Sequence, residues 1–149
     1  TFTIRGESGE RTVSADEFFI GVYMTAVGEG ELLTKIGVPP SSGAGDGFAG
    51  LTIGKHGTYI VNAAATISGD GARIALGCVG ATPVRATAME ERLAGSDFSE
   101  ESIRAAADGL GASLDPPSDV HGSADFRRHL AEVSAVRAVR QAAERRKGA

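Results

Sequence analysis

Asp119, His121 and Ser123 fall close together and have the residue types of a hydrolase triad. In such a triad a carboxylate orients an imidazole that takes the proton of a hydroxyl nucleophile. A triad is assembled across a fold, however, and neither a Gly-x-Ser-x-Gly elbow nor an oxyanion loop accompanies these residues. Ser123 is therefore expected to be a helix N-cap and His121 a turn residue. Gly43-Ala44-Gly45-Asp46-Gly47 has the glycine density of a phosphate cradle. It lacks the Lys-Ser/Thr of a P-loop, and a strand follows it where a phosphate cradle needs a helix N-terminus. A mobile loop over Ser41 to Gly47 is expected instead. The single cysteine, Cys78, cannot hold an iron–sulfur cluster, which takes about four such ligands. His56, His121 and His129 do not form a zinc-type spacing with it. No catalytic group and no metal site are expected in this chain.

Arg137, Arg140, Arg145, Arg146 and Lys147 could form a nucleic-acid stripe. The 149-residue chain carries a net charge of −4, and no aromatic stacking platform accompanies the stripe. A solvated or subunit-facing surface is expected, without nucleic acid as partner. Hydrophobic residues make up 42% of the chain, ordinary for a globular protein. No apolar run approaches the roughly 18 residues of a membrane span, and no signal-peptide pattern opens the sequence. The expected location is the cytoplasm. The chain opens at Thr1 directly on an alternating strand pattern, as expected of a segment of a longer protein; a trimmed terminus would look the same.

The elements that must position these residues read as follows. Thr1 to Arg5 and Arg11 to Val13 form a hairpin about Gly6-Glu7-Ser8-Gly9. Ser14 and Glu17 form a capping box for a short helix over Asp16 to Phe19, and Phe18, Phe19 and Tyr23 form an apolar cluster there. A strand over Leu32 to Val38 stops at Pro39-Pro40. Phe48 to Ile53, Ile60 to Ser68 and Ala72 to Val79 are three further strands, the last two joined at Ser68-Gly69-Asp70-Gly71. Thr87 and Glu90 are a second capping box, with Gly95 at the C-cap. Ser99 caps a helix with apolar face Ile103, Ala106, Ala107 and Leu110, ended by Pro116-Pro117. Ser123 opens a long helix with Phe126, Leu130, Val133, Val136 and Val139 near 3.6 spacing. Strands followed by helices indicate an α+β fold, a small antiparallel sheet packed with a C-terminal group of about three helices.

Four segments, in order and spacing, resemble the C-terminal region of the flavin-binding medium subunit of molybdenum hydroxylases, the carbon monoxide dehydrogenase and xanthine dehydrogenase family. They are Glu17-Phe18-Phe19-Ile20-Gly21-Val22-Tyr23-Met24-Thr25-Ala26 with Gly30 to Ile36; Lys55-His56-Gly57-Thr58-Tyr59 with Ala63-Ala64-Ala65; Ala72 to Gly77 with Ala81-Thr82-Pro83-Val84-Arg85-Ala86; and Asp115 to Leu130. The resemblance implies that residues 1–30 are the tail of an FAD-binding domain and residues 31–149 its C-terminal domain. It implies FAD as cofactor of the complete subunit, with the molybdenum cofactor and two [2Fe-2S] clusters in partner subunits. Electrons would pass from the clusters through FAD to an external acceptor. The implied partners are the N-terminal FAD-binding half, an iron–sulfur subunit and a molybdenum subunit.

On this resemblance Tyr59 lies against the isoalloxazine ring, with Thr58 and Lys55 nearby. An ordinary strand tyrosine and a solvated loop lysine are the alternatives for Tyr59 and Lys55. The family's two glycine-rich loops for the FAD pyrophosphate do not occur in these residues, so the chain is expected to be non-catalytic by itself. It departs from the family pattern at Leu51 and Gly54, where basic residues are usual, and at Thr58, where aspartate is. Those departures favour a second reading, a stand-alone interaction domain that has lost flavin function.

Overall fold

Apolar side chains alternate at Val61, Ala63, Ala65 and Ile67 and again at Ala72, Ile74 and Leu76, and each of these residues is buried. Period-two burial requires a sheet with one face covered. In the computed structural model, which describes residues 1–40, 43–54, 57–69 and 71–147, that sheet is the centre of the larger of two compact units.

The first unit spans Thr1–Pro40. β1 (Phe2–Gly6) pairs antiparallel with β2 (Gly9–Val13) on one side and β5 (Leu32–Ile36) on the other. α1 (Ala15–Phe18), β3 (Phe19–Gly21) and the short β4 (Met24–Thr25) lie between them in sequence. The Glu17 carboxylate accepts from the Ser14 amide, one of the two bonds of a capping box, and also from the Ser14 hydroxyl. The aromatic cluster differs from the expected one. Phe18 is buried and stacked on Phe2 with centroids 4.0 Å apart, and Phe19 meets both rings edge-on. Tyr23 is fully exposed at φ 56°. The turn puts it outside the cluster, and strand pairing brings in Phe2 from far along the chain.

The second unit spans Ser41–Ala149. β5 pairs with β1 and so belongs to the first unit. β6 (Gly45–Ile53), β7 (Thr58–Ser68), β8 (Gly71–Gly77) and β9 (Val84–Arg85) form an antiparallel meander in that order. α2 (Thr87–Leu93), α3 (Glu100–Ala107), a 3-10 helix (Leu110–Ser113) and α4 (Ala124–Lys147) follow. Met89 and Leu93 of α2, Ile103 and Ala106 of α3, and Ala131, Ala135, Ala138 and Val139 of α4 join the inward residues of β7 and β8 in one core. The observed class is the α+β architecture anticipated above, a small antiparallel sheet and its helices.

Several local expectations change. The glycine-rich segment does not stay a loop as far as Gly47, because β6 starts at Gly45. Both glycines face α4 at contact. A Cβ on Gly47 would come within 2.8 Å of the Ala142 amide nitrogen, and one on Gly45 within 2.6 Å of the Arg146 nitrogen. Here glycine admits a helix backbone to the sheet. That approach also selects the buried face of α4, which is Ala131, Ala135, Ala138, Ala142 and Ala143 with Val139. Of the expected face only Val139 is fully buried. Phe126 is 43% exposed, and Val133 and Val136 line an open groove of about 460 Å³ between α3 and α4.

The second capping box is replaced by another use of its glutamate. Ala86 is the N-cap of α2, and Glu90 accepts from the Ile74 amide (2.7 Å) and pairs with Arg85 (2.6 Å). Burial pushes the Glu90 carboxyl up, but Arg85 and the Ile74 amide outweigh it and hold the group below its ordinary range. α3 ends at Ala107, followed by Gly109 at φ 74°, well before Pro116-Pro117. Leu110, expected on its apolar face, is buried from the 3-10 helix.

The basic residues of α4 are partly engaged within the unit. Arg145 donates to the Asp46 carbonyl (2.7 Å), and Gln141, one turn earlier, accepts from the Phe48 amide (3.2 Å). They satisfy backbone groups on the outer edge of β6. Arg140 pairs with Glu100 of α3.

Candidate functional site

The sheet face opposite the helices carries Asp46, Phe48, Gly50, Asn62, Ala64, Thr66 and Arg73, alternating with the buried positions. At one end of it β6 and β7 lose register between Leu51 and Thr52: Leu51 opposes Val61 and Thr52 opposes Tyr59. Ile60 is the extra residue of this bulge. The bulge lets Ile60 and Val61 both bury their side chains while Tyr59 turns to the open face.

Tyr59 is held there by shape. A Cβ on Gly50 would approach its Cδ1 to 2.8 Å, so the ring lies over the bare Gly50 backbone. The Phe48 ring meets it edge-on with centroids 5.5 Å apart. Tyr59 remains 40% exposed and Phe48 46%. The pair leaves aromatic surface exposed on an otherwise small, polar sheet face.

Thr58 and Tyr59 also line a cavity of about 220 Å³, together with Cys78, Asp119, His121 and Arg127. Thr58 is exposed and pairs with Ile53 at the end of the ladder. Lys55 and His56 lie outside the described residues. Cys78 follows β8 directly, at φ 64°, and is exposed. Among the described residues no group of three or more histidine, cysteine or acidic side chains could hold a metal ion.

The triad-like residues are placed apart in function. The Ser123 hydroxyl accepts from the Phe126 amide (3.2 Å), and Ser118 accepts from the Ala124 amide (2.8 Å), so both serve the start of α4. Asp119 and Gly122 exchange backbone hydrogen bonds across a tight turn, with His121 at its tip. One Asp119 oxygen accepts from the His121 amide (2.8 Å) and the other from Arg127 Nη2 (2.6 Å). Arg127 first, then the His121 amide, holds the Asp119 carboxyl below its ordinary range.

Arg127 is the residue that sequence reasoning missed. It is only 4% exposed, and Nη1 donates to the Ile60 carbonyl at 2.5 Å. The available signal was its position one turn before Ala131 and two before Ala135, on the alanine seam of α4.

Residues 58–142 match the family model of the CO dehydrogenase flavoprotein C-terminal domain. The chain belongs to this family. Two relatives of this flavoprotein domain are the carbon monoxide dehydrogenase medium chain of Hydrogenophaga pseudoflava and the nicotine 6-hydroxylase medium subunit of Paenarthrobacter nicotinovorans. They are 36% and 32% identical to it, each over 148 residues. The alignments cover 95% of this chain but 51% and 52% of those proteins, so the chain spans about half the length of these relatives. Among solved structures, quinoline 2-oxidoreductase from Pseudomonas putida 86 superposes with a TM-score of 0.88 at 32% identity, covering 96% of this chain and 52% of that one. Carbon monoxide dehydrogenase from Hydrogenophaga pseudoflava superposes with a TM-score of 0.87 at 36% identity, covering 97% and 52%.

Proposed function

We propose that this chain is the C-terminal part of the FAD-binding medium subunit of a molybdenum hydroxylase, an oxidoreductase component that covers the flavin. Residues 1–30 then belong to the FAD-binding domain and the remainder to the flavoprotein C-terminal domain. FAD, when bound, takes electrons from iron–sulfur clusters and gives them to an external acceptor. The clusters and the molybdenum cofactor belong to partner subunits, in a cytoplasmic hetero-oligomer. The medium-chain and medium-subunit names of the relatives support this assignment.

One observation carries the site. Tyr59 is seated over Gly50, braced edge-on by Phe48, and left exposed on the open face of the sheet. An unbraced surface tyrosine would be free to rotate. A braced one offers a fixed aromatic surface to a flat ring, and the glycine beneath it lets the tyrosine ring lie against the sheet. These residues fit one side of an isoalloxazine. Tyr59 would exclude water from that side and tune the ring's electronics, and the Thr58 hydroxyl would lie at the rim of the contact. In the flavin-loaded subunit, Tyr59→Ala should shift the visible flavin absorbance and slow electron delivery to the acceptor more than it reduces FAD retention. An unchanged spectrum and unchanged rate would overturn the assignment of Tyr59.

A further inference from the structure

The bulge that turns Tyr59 outward falls at Ile60, and the buried Ile60 carbonyl accepts a hydrogen bond from outside the sheet. Its partner comes from sixty-seven residues away: Arg127 Nη1, at 2.5 Å. The same guanidinium holds Asp119 through Nη2 at 2.6 Å, and Asp119 in turn binds the His121 amide at 2.8 Å. Its Nε is buried without a hydrogen-bond partner. A buried cation with an unsatisfied N–H is an expensive way to cap one carbonyl if stability were the only end. A planar fork does more than a point charge could. It fixes the direction of the Ile60 carbonyl and the Asp119 turn together, and with them two walls of the cavity that Tyr59 lines.

We infer that Arg127 is a positioning residue for Tyr59: through the Ile60 carbonyl and the Asp119 turn it sets the orientation in which Tyr59 is presented. This rests on the assignment of Tyr59 to the flavin only for its consequence, not for the coupling itself. Lysine at 127 could satisfy the carbonyl or the carboxylate but could not span both in one plane. Arg127→Lys should therefore keep the fold and lose the orientation. Asp119→Asn, at a half-exposed position, should preserve the Ile60 contact and give a smaller effect of the same kind.

The test uses the full flavin-loaded protein containing this chain, labelled with [13C]tyrosine, with the Tyr59 ring signal identified by its loss in Tyr59→Phe. The ring signal is followed with the flavin bound and removed, and the visible flavin band and midpoint potential are recorded. In Arg127→Lys the Tyr59 signal should move or broaden while the thermal melt remains a single cooperative transition. The flavin band should shift in the direction that Tyr59→Ala shifts it, and Arg127→Lys should add no further shift in a Tyr59→Ala background. An unmoved Tyr59 signal in both Arg127→Lys and Asp119→Asn would overturn the inference. So would an Arg127→Lys band shift that persists in full when Tyr59 is absent. If Tyr59→Ala leaves the flavin band unchanged while Arg127→Lys still moves the Tyr59 signal, the flavin assignment fails and the positioning role stands. If Arg127→Lys does not fold, the Asp119→Asn signal decides.

Discussion

A serine hydroxyl and a carboxylate show how much single residues do here without chemistry. Ser123 caps α4 by accepting from the Phe126 amide. Ser123→Ala should cost on the order of 1 kcal/mol, measured by urea denaturation. Turnover per folded complex should be unchanged; a large drop would give Ser123 a functional role. Glu31 forms a different kind of contact. Arg11 first, then the Gly28 amide, holds its carboxyl down at about 2, against an ordinary 4.5. A carboxyl whose pKa falls on folding contributes stability that is fully present above its unfolded value and is lost as pH falls through the folded one. Hydrogen-exchange protection of the Gly28 amide, which donates to Glu31 at 2.8 Å, should therefore decline between about pH 4.5 and about pH 2. Glu31→Gln should remove that decline; if protection still falls over this window, another group is responsible.

At the scale of elements, the contact between β6 and α4 is the tightest constraint in the second unit. Small residues on both sides bring the helix axis close enough for Gln141 and Arg145 to close the edge of the sheet. Gly47→Ala places a methyl group against the Ala138–Ala142 turn, where both neighbours are backbone and cannot rotate away. It should destabilise the protein by about 1–3 kcal/mol or more. Gly71→Ala is the internal comparison, because a Cβ there meets nothing within 4 Å. That substitution should stay within about 1 kcal/mol of the parent. Equal denaturation midpoints for the two variants would mean that α4 does not pack against β6 as described.

At the scale of the whole molecule, the two units bury their apolar residues very unequally. The second has a continuous core, whereas the buried apolar residues of the first are Ile4 and Phe18. Ile20, Val22, Met24, Leu32, Ile36 and Val38 of the first unit are all more than half exposed. Exposed apolar surface of that kind is generally avoided by monomers beyond a few hundred Å². The 149-residue chain alone should self-associate, and a stable compact monomer in sedimentation at high concentration would contradict this. FAD should not bind to it at micromolar concentrations. Stacking on one aromatic ring contributes about 1–3 kcal/mol, less than the several kcal/mol of translational and rotational freedom lost on association. Titration with FAD, followed by flavin fluorescence, decides the point; tight stoichiometric quenching would place a phosphate site within these residues.

Local physics was legible in the sequence wherever one short segment carries its own determinants. The hairpin at Ser68–Gly71, the Ser99 and Ser123 caps and the alternating strands β7 and β8 depend on turn chemistry, orphan amides and period-two burial, all encoded within a few residues. The order of strands before helices was enough for the α+β class. Tertiary contact decided what each ambiguous residue does. Gly45 and Gly47 read as a loop until a helix is laid against them, and the valines of α4 read as its core face until those glycines select alanine. Glu90 has the spacing of a capping box, yet Arg85 and the Ile74 amide outcompete its own helix for the carboxylate. Nothing within a few residues of Arg127 names its partner. Its role becomes visible only once a bulge, opened by the pairing of two other elements, presents it with a carbonyl. Partners distant in sequence leave no local signal, because the free energy that selects them arises only when the chain has closed.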